Sequence, residues 1–341
     1  MTKPITILAI ESSCDDTSAA ILQDGKMLSN IISSQKVHEQ YGGVVPELAS
    51  RAHLQNIIPV VDQAIKQSGI SKKDITAVGF TRGPGLLGSL LVGLSFAKSF
   101  ALANNLPLIE VNHMQAHILA HFIKEKDGSG NPPPFPFLCL TVSGGHTQIV
   151  KVHDYLKFEL IGETIDDAAG EAFDKSAKLL GLPYPGGPLI DQYAQSGNPK
   201  AFSFGIPKVK ELNFSFSGLK TSILYFLQKQ SQQNPSFIQE NLNHICASIQ
   251  HSIITILMNK LEKASREHGI NDIAIAGGVS ANSGLRKRLK EMEDSHQWKT
   301  YIPPFSYCTD NAGMIGITAY YKYLINDFSD QSVSAKARLF I

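Results

Sequence analysis

Apolar residues in this chain fall into short unbroken runs that alternate with longer stretches of helical spacing. Residues 5–10 are almost continuously apolar, as a buried strand requires. Residues 18–23 and 27–33 predict two more strands, joined by the hairpin turn Asp24-Gly25. From Pro46, the positions Leu48, Ala52, Ile57, Val61 and Ile65 approach helical spacing up to Gly69, and Pro59 is expected to kink or divide that helix. A strand over 75–81, a turn at Gly83-Pro84-Gly85, a mostly apolar helix over 86–103, a strand over 108–111 and a helix from about 112 follow. Residues 126–134 combine Gly, Ser and a proline run and read as a linker. Beyond it the opening pattern returns, with a strand over 137–142, the turn Ser143-Gly144-Gly145 and a strand over 147–152. This recurrence suggests a weak internal duplication. Helices are predicted over 166–180, 217–229 and 238–268, then a buried strand over 273–276, a basic helix over 282–292 and a final helix over 311–325. Such alternation predicts an α/β protein of two similar lobes, with ligands at the turns that end its strands, in the cleft between lobes.

Composition narrows the function more than the fold. The 341 residues are 43% hydrophobic and 18% charged, which excludes whole-chain disorder and a collagen repeat. Lys and Arg number 31 against 30 Asp and Glu, so bulk charge announces no polyanion, and any nucleic-acid contact needs a local patch. No apolar run approaches the roughly 18–20 residues of a membrane span, and the start of the chain lacks a signal-peptide layout. Cys14, Cys139, Cys246 and Cys308 are scattered and form no C-x-x-C, so a reducing, cytoplasmic setting without a membrane is expected.

Three groups of residues carry chemistry. His113 and His117 are spaced i, i+4, which puts two imidazoles on one helix face; a carboxylate must complete a zinc or iron site. The plainer reading is a polar stripe on an amphipathic helix. Met114 stands where a zincin needs Glu, and His121 is expected to be exposed rather than a third ligand. Glycine-rich turns form the second group: Thr141-Val142-Ser143-Gly144-Gly145, Tyr184-Pro185-Gly186-Gly187-Pro188 and Gly277-Gly278-Val279-Ser280-Ala281-Asn282. Each alone is an ordinary tight turn. Together, with no G-x-G-x-x-G and no P-loop, they point to a nucleotide held by hairpin-bearing lobes. The third group is acidic. Asp15 and Asp16 lie in the first strand turn, and Asp166 and Asp167 suit capping of the helix they precede. Asp174 and Asp310 fit capping less well, and either can supply the missing metal oxygen. The basic helix around Arg286-Lys287-Arg288 reads as a solvated face, with a phosphate backbone as the alternative.

Nine ordered markers carry a resemblance that spans essentially the whole chain. They are Glu11-Ser12-Ser13-Cys14-Asp15-Asp16, Gly42-Gly43-Val44-Val45-Pro46-Glu47, Gly83-Pro84-Gly85, His113-Met114-Gln115-Ala116-His117, Ser143-Gly144-Gly145-His146-Thr147, Asp166-Asp167-Ala168-Ala169-Gly170-Glu171, Phe214-Ser215-Phe216-Ser217-Gly218, Gly277-Gly278-Val279-Ser280-Ala281-Asn282 and Cys308-Thr309-Asp310-Asn311. On these the chain resembles the tRNA threonylcarbamoyl-adenosine transferase family, once labelled O-sialoglycoprotein endopeptidases. The resemblance implies a two-lobed actin-like fold of the sugar kinase/Hsp70 type. Its lobes are expected at 1–132, with a C-terminal helix over about 312–341, and at 135–311.

By the same resemblance, His113, His117 and Asp310 hold one divalent metal ion, iron(II) or zinc. Thr141, Val142, Ser143, Gly144, Gly145, Asp174, Gly187, Asp191 and Asn282 hold an adenine nucleotide or threonylcarbamoyl-adenylate. The implied reaction moves the threonylcarbamoyl group to the exocyclic amine of adenosine 37 in tRNAs reading codons that begin with adenine. The implied partners are tRNA, a catalytically silent paralogue, a small P-loop ATPase and a separate enzyme that makes the adenylate. Glu11, Asp15 and Asp16 are the candidates for general base. Ala312-Gly313 reverses the order found in many members, and the tail after Ser334 matches loosely. Three rival classes make different demands. A metalloprotease needs a base where Met114 stands, a sugar kinase leaves the histidines superfluous, and a silent scaffold is free to lose its metal ligands.

Overall fold

The computed structural model describes residues 3–207 and 209–341 and divides into two compact units. The first holds the chain up to Pro132, Asp154–Phe158 and Pro303–Ile341; the second holds Pro133–His153 and Glu159–Ile302. Residues 303–311, grouped with the second lobe in the sequence reading, belong to the first unit. There Tyr307 donates its hydroxyl hydrogen to Glu125, and Asp310 meets two histidines.

The first unit is built on a five-stranded sheet of β1 (Thr6–Glu11), β2 (Thr17–Gln23), β3 (Lys26–Ser33), β4 (Ala77–Gly83) and β5 (Leu108–Asn112), in the order β3-β2-β1-β4-β5. β1 pairs antiparallel with β2 and parallel with β4, and β4 runs parallel to β5. All of β1 is buried because both faces are covered. Leu8 and Ile10 pack with Ile57, Val61 and Leu94 from α1 (Pro46–Ser68) and α2 (Leu87–Asn104). On the opposite face the helix Ala312–Leu324 lies so close that a Cβ on Gly316 would strike Leu22, and one on Gly79 would sit 2.6 Å from Ala319. The short helix α3 (His113–Leu119) leaves the end of β5 directly.

Two expectations for this unit change. Pro59 does not divide α1; it sits on the exposed side, where the missing N–H and the ring meet solvent. α2 does reach the length and apolarity of a membrane span, the one such helix among the described residues. Its Leu90, Gly93, Leu94, Ala97 and Ala101 are nevertheless buried where it packs against β4 and α1.

The second unit repeats the plan. β6 (Phe137–Val142), β7 (Thr147–Asp154), β8 (Lys157–Glu163), β9 (Asp272–Ala276) and β10 (Lys299–Tyr301) form a sheet in the order β10-β9-β6-β7-β8. β6 is again antiparallel to the strand after it and parallel to the later β9. The faint duplication in sequence is thus a duplication of topology. Around this sheet stand α4 (Ala169–Leu179), α5 (Gly186–Ala194), α6 (Ser217–Gln233), α7 (Phe237–His268) and α8 (Ser283–His296), while the last helix of the first unit is α9. The core joins Leu138, Leu140, Phe173, Ile223, Leu257, Ile275 and Leu285. α5, β8 and β10 were not anticipated from the sequence. The two strands are partly exposed sheet edges with little pattern, β10 has only three residues, and α5 begins with Gly-Gly-Pro.

Candidate metal centre and nucleotide-binding turns

Asn112, the last residue of β5, opens α3 by accepting hydrogen bonds from the N–H groups of Met114 and Gln115. That cap fixes His113 in the first turn and His117 one turn later on the same face. Asp310 comes from the turn before α9, whose first turn is capped by Asn311 accepting from Met314 N–H. His113 Nε2 lies 3.1 Å from His117 Nε2 and 3.4 Å from Asp310 Oδ1, and His117 Nε2 lies 3.2 Å from the same oxygen. One ligand atom from each residue falls within 4.8 Å of the others, a set of two imidazole nitrogens and one carboxylate oxygen that suits zinc or iron(II).

Charge supports the same fit. Burial alone would lower His113, but the charges of Asp310 and Glu11 raise it to about 10. Burial alone would raise Asp310, yet His113 and His117 hold it well below the usual carboxylate range. His117 is lowered by burial, with the charge of His113 adding to the effect, and its Nδ1 is buried with no hydrogen-bond partner. Two carboxylates, Glu11 and Asp310, thus surround two imidazoles, and a divalent cation taking the place of the His113 Nε2 proton would balance their two negative charges.

The three acids considered as general base differ in environment. Glu11 is wholly buried, and its oxygens accept from Ser13 N–H at 2.5 Å, Thr81 Oγ1 at 2.6 Å and His113 Nδ1 at 3.1 Å. A carboxylate so enclosed has no face for substrate. Asp15 and Asp16 are half-buried on the loop after β1. Burial lifts Asp16 to about 7, aided by the charges of Asp15, Asp310 and Glu11 and opposed by a hydrogen bond from Ser34. His53 holds this loop through Cys14 O at 3.0 Å and Thr17 Oγ1 at 2.7 Å. His121 is buried rather than exposed, because α3 tightens into a 3-10 turn that carries it inward, and it stands outside the triad.

In the second unit Thr141 and Val142 end β6, and Ser143 closes the turn by donating its N–H to His146 O and accepting from His146 N–H on Oγ. Gly170 N–H, at the start of α4, donates to Ser143 O. A Cβ on Gly170 would lie 2.5 Å from that oxygen, and one on Gly277 2.5 Å from Val142 O, so these glycines are packing necessities. Gly144, Gly145 and Gly278 have nothing within 4 Å of such an atom, and at Gly187 the nearest atom is 3.7 Å away. Space is thus open beside Gly144, Gly145 and Gly278, whereas the Gly187 N–H is already taken by Asp174.

Asp174, Asp191 and Asn282 turn out to be capping residues. Asp174 Oδ1 accepts from Gly186 and Gly187 N–H at 2.9 and 3.0 Å, securing the start of α5. Asp191 accepts from Ser283 N–H and Oγ at the start of α8, and Asn282 caps the same helix through Leu285 N–H while donating to Gln250. Asp166 caps too, though at a different helix from the one it precedes. It accepts from Phe216 N–H, Ser217 N–H and both serine hydroxyls at the start of α6, while Asp167 pairs with Lys175 at 2.7 Å. On α8, Arg288 and Lys290 pair with Glu291 and Glu293, as a solvated face does. Sequence reasoning missed Thr81, a residue with no local signal, which reaches Glu11 only because β4 lies beside β1.

Residues 26–317 match the family model described as tRNA N6-adenosine threonylcarbamoyltransferase. A protein of that name from Christiangramia forsetii is 67% identical over 334 residues, covering 98% of each chain. One from Phocaeicola vulgatus is 58% identical over 335 residues, covering 98% of this chain and 99% of its own. Another from Clostridium kluyveri is 47% identical over 342 residues. Among solved structures, component A of the (R)-2-hydroxyglutaryl-CoA dehydratase of Acidaminococcus fermentans aligns over 94% of this chain and 99% of its own, with a TM-score of 0.54 at 16% identity. Full-length HypF aligns over 97% of this chain and 47% of its own, with a TM-score of 0.60 at 15% identity. Both likenesses are of fold, and the fold is the actin-like one.

Proposed function

This chain belongs to the tRNA N6-adenosine threonylcarbamoyltransferase family and is a transferase that modifies tRNA, and we propose that its donor is threonylcarbamoyl-adenylate, its acceptor the exocyclic amine of adenosine 37 and its leaving group AMP. The adenine amine is a poor nucleophile because its lone pair is delocalised into the ring. The reaction therefore needs an activated acyl donor and a stabilised transition state. A mixed anhydride meets the first need.

His113, His117 and Asp310 are the residues that would hold a divalent ion, iron(II) or zinc. When bound, that ion supplies a Lewis acid with positions left over for the donor. The space beside Gly144 and Gly145 in the Ser143-Gly144-Gly145 turn suits the donor's phosphate or carbonyl oxygen, continuing from Thr141 and Val142. Asp174, Gly187, Asp191 and Asn282, which fix and flank the starts of α5 and α8, are assigned to the ribose and adenine. Asp16 is assigned as general base, since a carboxyl titrating near 7 is matched to proton removal at neutral pH.

Target choice is assigned to the unpaired anticodon loop, whose bases are open to stacking and edge contacts. A net charge of +1 supports modest affinity for tRNA by this chain alone, with partners completing the surface. The partners of this reading are a catalytically silent paralogue, a small P-loop ATPase and a separate enzyme that supplies the adenylate. Exposed Leu54 and Ile58 on α1 and Leu87 and Leu91 on α2 offer an apolar surface for one of them. None of the four cysteines is in a disulfide, which fits a reducing cytoplasm.

The observation that carries this reading is the convergence of two imidazoles and a carboxylate in a chain of this family. Reconstitution with threonylcarbamoyl-adenylate and unmodified tRNA tests it by nucleoside mass spectrometry. Threonylcarbamoyl-adenosine at position 37 is the expected product, and none in the presence of the partners overturns it.

A further inference from the structure

We infer that Glu11 is the positioning residue of the metal centre: it fixes His113 with the hydrogen on Nδ1 and so leaves Nε2 free to bind a cation. The inference rests on the metal reading given above and goes beyond it to a residue outside the triad. Glu11 ends β1, Thr81 lies near the end of the adjacent β4, and His113 follows the end of β5 beside it. The register of these three parallel strands brings the side chains together at one edge of the sheet.

The hydrogen-bond partners favour one arrangement. Ser13 N–H is an obligate donor and points at Glu11 Oε1 from 2.5 Å. The Thr81 hydroxyl donates to Oε2 at 2.6 Å, and His113 Nδ1 stands 3.1 Å from that same oxygen. A carboxylate offers only acceptors, so the bond between Nδ1 and Oε2 has Nδ1 as its donor, and Ser13 Oγ, 3.3 Å from the same nitrogen, then serves as a further acceptor. Nε2 is then the nitrogen turned toward His117 and Asp310. His117 has no such support, since its Nδ1 is buried without a partner. His113 is therefore the pre-organised ligand of the pair. Among the described residues Glu11 pairs with His113 and with no Arg or Lys; such a buried carboxylate is a poor device for stability, and an outer partner that orients a metal-binding imidazole explains its presence.

Glu11→Gln tests this with little change in volume. Ser13 N–H pins the amide oxygen at the Oε1 position, which places the amide NH2 against His113 Nδ1. That nitrogen must then accept, and the hydrogen moves to Nε2, where it blocks the cation. Titration of the chelator-stripped full chain with Co2+, followed by the visible absorption of the bound ion, should show affinity falling about 10- to 100-fold in Glu11→Gln. Urea melts of the metal-free variant should be unchanged or more stable. Wild-type affinity in Glu11→Gln overturns the inference while leaving the metal reading intact. A wild-type chain that binds no Co2+ sinks both.

A second measurement needs no variant. In the 15N-histidine-labelled chain loaded with 113Cd2+, His113 should show coupling to the metal through Nε2 and a protonated Nδ1. Coupling through Nδ1 overturns the inference even if Glu11→Gln fails to fold.

Discussion

The backbone carbonyl of Phe340 accepts a hydrogen bond from Asn112 Nδ2 at 2.9 Å, joining positions 228 residues apart. Asn112 uses its other amide atom to cap α3, so the last residues of the chain set the orientation of the cap that holds the two histidines. The same tail accepts Gly85 N–H on Ala337 O and donates Lys336 N–H to Arg82 O. A Cβ on Gly83 would strike the Lys336 carbonyl, which shows how closely the strap lies on the turn after β4.

Removing residues 335–341 should therefore loosen α3. The expected result is a loss of about 1–2 kcal/mol, a melting temperature lower by a few degrees, and a several-fold weaker affinity for Co2+. Calorimetry and metal titration of the shortened chain check this, and unchanged values in both would show the tail to be passive.

His113→Ala combined with His117→Ala should abolish metal binding and lower tRNA modification by at least about 100-fold, with the circular dichroism spectrum retained. Chelation of the unaltered chain should give the same loss, reversed by iron(II) or zinc. Full modification by a metal-free double variant would rule out the centre assigned to these residues.

Asp16 gives a pH signature. Its folded value of about 7 lies above the roughly 3.9 of an unfolded Asp, so between about pH 4 and 7 the native chain binds more protons than the unfolded one. Stability due to this group is present at the acid end of that window and is lost as pH rises through 7. Relative to Asp16→Asn, the wild type should lose on the order of 2 kcal/mol between pH 5 and pH 8. Urea denaturation with chelator present measures the difference, and parallel curves for the two proteins would contradict it.

Two glycines of one turn region should separate folding from binding. Gly170→Ala drives a methyl group into Ser143 O and should cost about 1–3 kcal/mol. Gly144→Ala meets nothing in the folded chain, so its melting temperature should be unchanged while its affinity for AMP falls. Thermal melts with AMP titration decide the matter. Wild-type AMP affinity in Gly144→Ala would remove the turn from the ligand site.

The sequence by itself determined whatever depends on neighbours a few residues away. Unbroken apolar runs marked β1 and β6 because both faces of such strands are covered, and the four-residue spacing placed His113 and His117 on one face. Glycine turns after strands were legible for the same reason, and so was the likeness between the two halves. Tertiary structure decided what depends on partners far along the chain. Asp310 joins the histidines only because the turn before α9 folds into the first unit. Glu11 became a support for His113 through strand register, and Asp166 capped α6 at a separation of 50 residues. α5 looked like a turn, since Gly186, Gly187 and Pro188 break helices in isolation. Asp174 takes up the glycine N–H groups from outside, and a proline in the first turn lacks only a hydrogen that needs no partner within the helix. Periodicity records which face of an element is buried; the register between elements, set by strand pairing, decides which buried side chains meet.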